Sequence, residues 1–133
     1  MGYLDVGPRP KNFLLQDEVE VTSLDAFCRE QGLNKVTLIK VDVEGTELAF
    51  LKGSETVLKT QHPVVICEII KKVAAKFQVT PDILYAYVTD MGFRTFINDG
   101  QKFIEVDNFE MDNNYYFIHR ELSDLIRRIM PTA

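Results

Sequence analysis

The chain has 133 residues, 46% of them hydrophobic and 26% charged, with 20 acidic against 15 basic side chains and a net charge of -5. So apolar a chain is not disordered, and a domain of this length buries enough surface for a core without disulfide or metal staples. The acidic balance, with a pI ≈ 5.0, excludes a dedicated nucleic-acid binder, because neutralising phosphates needs a basic face.

Cys28 and Cys67 lie far apart among apolar neighbours, so neither a redox pair nor a zinc knuckle can be written, and buried reduced thiols are expected. Residues 1–15 include Asp5, Pro8, Arg9, Pro10 and Lys11, which leaves no signal-peptide core. No apolar run reaches the length of a membrane span. A cytoplasmic protein without a membrane span is expected.

Residues 1–17 carry no period and hold Gly7-Pro8-Arg9-Pro10, the pattern of an irregular arm before a domain over residues 18–133. Val19 and Val21 alternate with polar neighbours as a short strand. Thr22 or Ser23 then caps a helix with Leu24, Phe27 and Cys28 on its apolar side, and Gly32 ends it. Residues 36–43 form a nearly continuous apolar run, which predicts a strand covered on both faces. Helical spacing follows Gly45 through Leu48, Leu51, Val57 and Leu58, with Gly53 as its weak point. Residues 64–70 are a second apolar run, so two strands joined by a helix should pair in parallel through a right-handed crossover.

Residues 71–78 are ambiguous. Thr80-Pro81-Asp82 then starts a helix with a capping hydroxyl and a first-position proline, its stripe runs over Ile83, Leu84, Tyr87, Val88 and Met91, and Gly92 stops it. Strands at 93–97 and 102–106 flank a turn at Asn98-Asp99-Gly100. An acidic loop at 107–114 leads to a last strand at 115–119, where Tyr115 and Tyr116 suggest one buried face. A final helix presents Leu122, Leu125, Ile126 and Ile129 before Pro131. The class is α/β, parallel strands with an antiparallel C-terminal edge.

The chemistry concentrates in Lys40-Val41-Asp42-Val43-Glu44-Gly45-Thr46-Glu47, where charges end an apolar strand. By the two-residue period Lys40, Asp42 and Glu44 share one face, and ligands of open α/β sheets bind beyond the carboxyl ends of strands. Glu47 and Thr46 suit a helix cap. Asp42 precedes the turn inside a run expected to be buried, where an unpaired carboxylate is costly, so Asp42 and Glu44 are the candidate catalytic residues. Lys40 either pairs with one of them or contacts substrate. His62, before Pro63 at the opposite end of a strand, reads as a surface residue. His119 ends the last strand, and with no second His or Cys near either, an imidazole metal site is not expected. An oxygen-ligand cation at Asp42, Glu44 and Glu68 remains chemically open.

Four blocks together resemble the FkbM family of S-adenosylmethionine-dependent methyltransferases: Val21-Thr22-Ser23-Leu24-Asp25, Leu38 through Glu47, Leu51-Lys52-Gly53, and Pro63-Val64-Val65-Ile66-Cys67-Glu68-Ile69. The resemblance covers about residues 19–70 and implies part of a class I, Rossmann-like sheet. It implies transfer of a methyl group from S-adenosylmethionine to a hydroxyl on a sugar or natural product. By that analogy Asp42 and Glu44 sit beside methyl donor and acceptor. Glu68 either opens on the same crevice as a substrate contact, faces solvent, or caps a helix.

Such enzymes hold the cofactor with a glycine-rich turn and an acidic strand end upstream of these blocks. Leu4-Asp5-Val6-Gly7 only superficially matches that turn, because Pro8-Arg9-Pro10 follows it. The expectation is therefore the C-terminal portion of such a domain, without cofactor binding or activity alone. The alternative is a non-catalytic interaction module, and magnesium-dependent phosphoryl chemistry is a third reading without a phosphate-cradling loop to support it. The expected partners are a small hydroxyl acceptor and either a second copy, giving a homodimer, or the missing N-terminal half. Tyr3, Leu4, Phe13, Leu14 and Leu15 of the arm offer a third cover for an exposed strand edge.

Overall fold

A computed structural model describes residues 18–130. The expected arm at residues 1–17, its five covering side chains, Asp5, Gly7 and Pro131 all lie outside those residues. From the amino end, α1 (Leu24–Gln31) is capped by Ser23, whose hydroxyl accepts the Ala26 N–H at 3.1 Å, and Gly32 closes it with φ 65°. The strand expected at Val19 and Val21 does not form, and both side chains are exposed. An alternating pattern makes a strand only where a neighbour supplies the ladder.

β1 (Leu38–Val41) is shorter than the apolar run that predicted it and is covered on one face only. Ile39 and Val41 are buried while Leu38 is 59% exposed. The expected single helix is two, α2 (Glu47–Lys52) and α3 (Glu55–Gln61), broken at Gly53-Ser54. The buried Ser54 hydroxyl donates to the Phe50 carbonyl at 2.7 Å, a back-bond that competes with the helical ladder. β2 (Val64–Ile69) follows, then α4 (Lys71–Ala74) with a 3-10 turn at Ala75–Phe77, which resolves the ambiguous stretch.

α5 (Pro81–Asp90) starts on Thr80, whose hydroxyl accepts the Ile83 N–H at 3.4 Å. β3 (Phe93–Asn98) and β4 (Phe103–Glu105) form the expected hairpin, with Asp99 Oδ1 accepting the N–H groups of Gln101 and Lys102. β5 (Asn113–His119) starts inside the predicted acidic loop, and α6 (Ser123–Ile129) ends the described chain.

The five strands order as β1-β2-β5-β3-β4. β1 and β2 are parallel as expected, with Leu38 opposite Val64 and Val41 opposite Cys67. The β2–β5, β3–β5 and β3–β4 pairs are antiparallel. The sheet is therefore mostly antiparallel with one parallel pair, rather than parallel with an antiparallel edge. β5 inserts between β2 and β3 and runs against both, so β1, β2 and β3 share one direction.

The larger core fills one face. Ile39, Val41, Val65, Cys67, Tyr115 and Phe117 meet Leu51 and Leu58 of α2 and α3, Leu84 and Val88 of α5, and Phe109. Both cysteines are buried and free, and burial pushes the Cys67 thiol up, which keeps it protonated. On the other face α6 packs Ile126 on Phe96 and Ile118, joined by Val64, Phe103 and Tyr116. Tyr115 and Tyr116 thus enter opposite cores, so both faces of β5 are covered.

Candidate active site at the carboxyl ends of the parallel strands

β1 and β2 run in register, so their carboxyl ends, Asp42 beyond Val41 and Glu68 near the end of β2, emerge at the same sheet edge. Val43 and Glu44 lie beyond the strand, so the two-residue period does not align Glu44 with Asp42. A turn does so instead. Glu44 takes φ 53° and Gly45 φ 103°. A left-handed non-glycine residue costs about 1–2 kcal/mol, and such outliers cluster at functional sites. One carboxylate oxygen from each of Asp42, Glu44 and Glu68 lies within 4.8 Å of the other two. These are hard oxygen donors of the kind that hold magnesium or calcium.

Gly45 is required twice over. Besides its positive φ, a Cβ there would lie 2.7 Å from the Val73 carbonyl oxygen and 2.9 Å from the Phe77 ring. The segment 70–77 therefore walls the site by resting on the turn itself. Glu47, 3% exposed, sits below the turn and accepts the Gly45 N–H at 2.9 Å. Thr46 occupies the cap position of α2 but does not cap it, because its hydroxyl donates back to the Val43 carbonyl at 2.9 Å. Glu44, Gly45, Glu47, Glu68, Ile70 and Val73 line a hollow of ≈ 10 Å³, room for about one water.

The electrostatics follow from three like charges. Asp42, hydrogen-bonded and negatively charged beside it, holds the Glu68 carboxyl above its ordinary range, and Glu44 adds to the rise while Lys40 opposes it. Asp42 itself is exposed rather than buried, so burial is not what sets it apart. Among the described residues Lys40 forms no ion pair with these carboxylates. Its Nζ donates to Asn114 Oδ1 at 3.4 Å.

Asn114, which faces Glu68 across β2 and β5, was missed from the sequence. So was Asp112, whose Oδ1 accepts the Lys71 N–H at 2.8 Å and ties the loop before β5 to the start of α4. The only hint of either was their place in an acidic loop. His62 is not a surface residue: it is half-buried and stacks on His119 at the far end of β2, so two histidines distant in sequence are neighbours.

The four sequence blocks assemble as two pairs. The second and fourth build the carboxylate site. The first and third form a joint, in which Asp25 N–H donates to the Gly53 carbonyl at 3.0 Å and a Cβ on Gly53 would lie 3.0 Å from Ser23 Cβ.

No curated protein and no solved structure matches this chain. A family model described as the methyltransferase FkbM domain matches residues 9–95, a stretch that contains all four blocks and runs through β1, β2 and into β3. With well over half of its length matched, this chain belongs to the FkbM methyltransferase family.

Proposed function

We propose that this chain supplies the acceptor side of an O-methyltransferase, with Asp42, Glu44 and Glu68 binding the hydroxyls of a sugar-like or natural-product acceptor. The observation that carries this reading is the convergence of the three carboxylates at the carboxyl ends of β1 and β2, in a chain of the FkbM family. Its sheet supports a partial class I arrangement, since β1, β2 and β3 are codirectional and only β5 and β4 oppose them.

Glu68 is the strongest candidate for the base. Held above the ordinary carboxylate range, it binds a proton more tightly than a free glutamate, which favours removal of a hydroxyl proton. Asp42 and Glu44 accept hydrogen bonds from neighbouring hydroxyls of the acceptor and so hold the reacting hydroxyl against Glu68. Lys40 and Asn114, hydrogen-bonded to each other across β2, present further donors beside Glu68 and orient other polar groups of the acceptor. Positioning of this kind supplies much of the rate in transfers between two bound groups.

The family generally uses S-adenosylmethionine, but the described residues do not fit that group as an enclosure. A nucleoside cofactor fills a pocket of hundreds of Å³, and the hollow at this site holds ≈ 10 Å³. No step through the cofactor is therefore assigned to these residues, and binding of S-adenosylmethionine by this chain alone is not expected.

Titration with simple hexose glycosides, followed by NMR of the full chain, tests the reading. Weak saturable shifts at residues 40–46, 68 and 114, lost in Glu68→Gln, are expected. Shifts that ignore this substitution, or none across the panel, overturn it in favour of a non-catalytic interaction module.

A further inference from the structure

The rings of His62 and His119 lie face to face at the amino end of β2, with 3.6 Å between centroids and 3° between planes. His62 closes α3 in a left-handed conformation, φ 50°, and leads through Pro63 into β2. His119 ends β5 and is 6% exposed.

Both nitrogens of the His119 ring are engaged. The Glu121 N–H donates to Nδ1 at 3.2 Å, so Nδ1 carries the lone pair. Nε2 must then hold the proton, and it donates to the Met91 carbonyl at 3.0 Å. The partners thereby select one neutral tautomer. A second proton can enter only at Nδ1, where it would confront the Glu121 N–H, donor against donor.

The ring has nowhere to turn. A Cβ on Gly92 would lie 2.8 Å from Nε2, Phe93 meets the ring edge-on at 5.1 Å between centroids, and His62 covers one face. The groups that face it are His62 from the end of α3, the backbone of Met91 and Gly92 after α5, and Arg120 and Glu121 after β5. Burial, followed by the charge of His62, holds the His119 pKa below its ordinary value; the bond to the Met91 carbonyl and Glu121 work against this, and Arg120 adds to it.

The bond at Nδ1 also fastens the turn into α6. Leu122 N–H donates to the His119 carbonyl at 2.9 Å, and beyond it Ile126 seats α6 on Phe96 and Ile118. Leu122, Leu125 and Ile129 are only partly buried around it, and Ile126 is the one fully buried residue of α6, so the helix's hold on the sheet is shared with its anchor. We propose that His119 is an acid-sensitive latch, whose protonation at Nδ1 breaks the bond to Glu121 and releases α6 from the sheet, uncovering Phe96, Ile118 and Tyr116.

The sign follows from linkage. Once α6 is released the ring takes up a proton from solvent with ordinary affinity, near pH ~6.5, while the latched ring binds it more weakly. The open population therefore grows as pH falls through that range. Amide hydrogen exchange on the full chain, corrected for its intrinsic pH dependence, measures this directly. Between pH 7.5 and 5.5 the opening constant of residues 123–129 should rise about tenfold, the limit for one proton, with a smaller rise in β2.

His119→Gln keeps an N–H for the Met91 carbonyl but cannot titrate, and it should flatten the profile. His62→Phe keeps a stacked ring and should preserve the rise. An undiminished rise in His119→Gln overturns the latch, as does unchanged protection of α6 in the native chain. Should His119→Gln not fold, NMR titration of the native His119 ring decides: a midpoint that tracks α6 opening supports the latch, and titration without opening refutes it.

Discussion

Asp25, in the first turn of α1, caps α3: its two carboxylate oxygens accept the Thr56 N–H at 2.9 Å and the Val57 N–H at 3.0 Å. Ser54, at the cap position itself, offers α3 no side-chain bond. One carboxylate thus satisfies two free donors of a helix 31 and 32 residues away and faces the positive end of its dipole. Asp25→Ala should cost about 1–2 kcal/mol, within the range for lost caps. Urea unfolding checks it, and a loss of less than about 0.3 kcal/mol would show the cap to be dispensable.

Gly45→Ala should be more damaging than its size suggests. The new methyl meets the Val73 carbonyl oxygen at 2.7 Å in a backbone with φ 103°. Neither the strain nor the clash can relax without moving the wall at 70–77. A cost of about 2–4 kcal/mol is expected, combining backbone strain with overpacking. Gly32→Ala is the control, since its φ of 65° meets open space and its cost should be the backbone strain alone, about 1–2 kcal/mol. Equal losses at the two sites would refute the contact.

Asp42→Asn should leave the fold intact or slightly raise its stability. Asp42 is exposed and accepts no hydrogen bond from an N–H group among the described residues; its neighbours are the carboxyls of Glu44 and Glu68, so removing its charge relieves repulsion. The substitution should also lower the titration midpoint of Glu68 toward that of a free glutamate, because Asp42 is the leading cause of its rise. A carboxyl whose folded pKa is raised favours the fold below its unfolded pKa, and that contribution is lost as pH rises through the folded value. Carbon-detected NMR titration of Glu68 in both proteins reads the shift. An unmoved midpoint would remove Asp42 from the coupled group.

Among the described residues β1 has no partner on its outer side, which carries an expectation about assembly. β1 is the outer strand of the described sheet, and its first residue, Leu38, is 59% exposed. Unpaired strand edges recruit further strands. We propose a homodimer through antiparallel pairing of two β1 strands. Light scattering should give a mass near twice 15.3 kDa, falling on dilution. A mass of one chain at every concentration overturns the dimer and turns attention to residues 1–17 as the cover.

Local signals carried most of the secondary structure. Ser23 with Gly32, Thr80 with Pro81, and Asn98-Asp99-Gly100 each place a donor, an acceptor and a permitted backbone conformation within a few residues, so they act wherever the chain later packs. Asp42 and Glu44 were legible for the same reason, as charges set at the end of an apolar run.

What the tertiary structure alone decided involves partners distant in sequence. The insertion of β5 between β2 and β3 made the sheet mostly antiparallel. The same register brought Asn114 beside Glu68 and His119 onto His62. Phe109, a lone aromatic in an acidic loop, became fully buried against Tyr85, Tyr115 and Phe117. Periodicity along a chain reports which face of an element is apolar, but it does not specify which element will cover that face. Strand order, and with it every contact between distant residues at the two ends of β2, is settled only when the cores close.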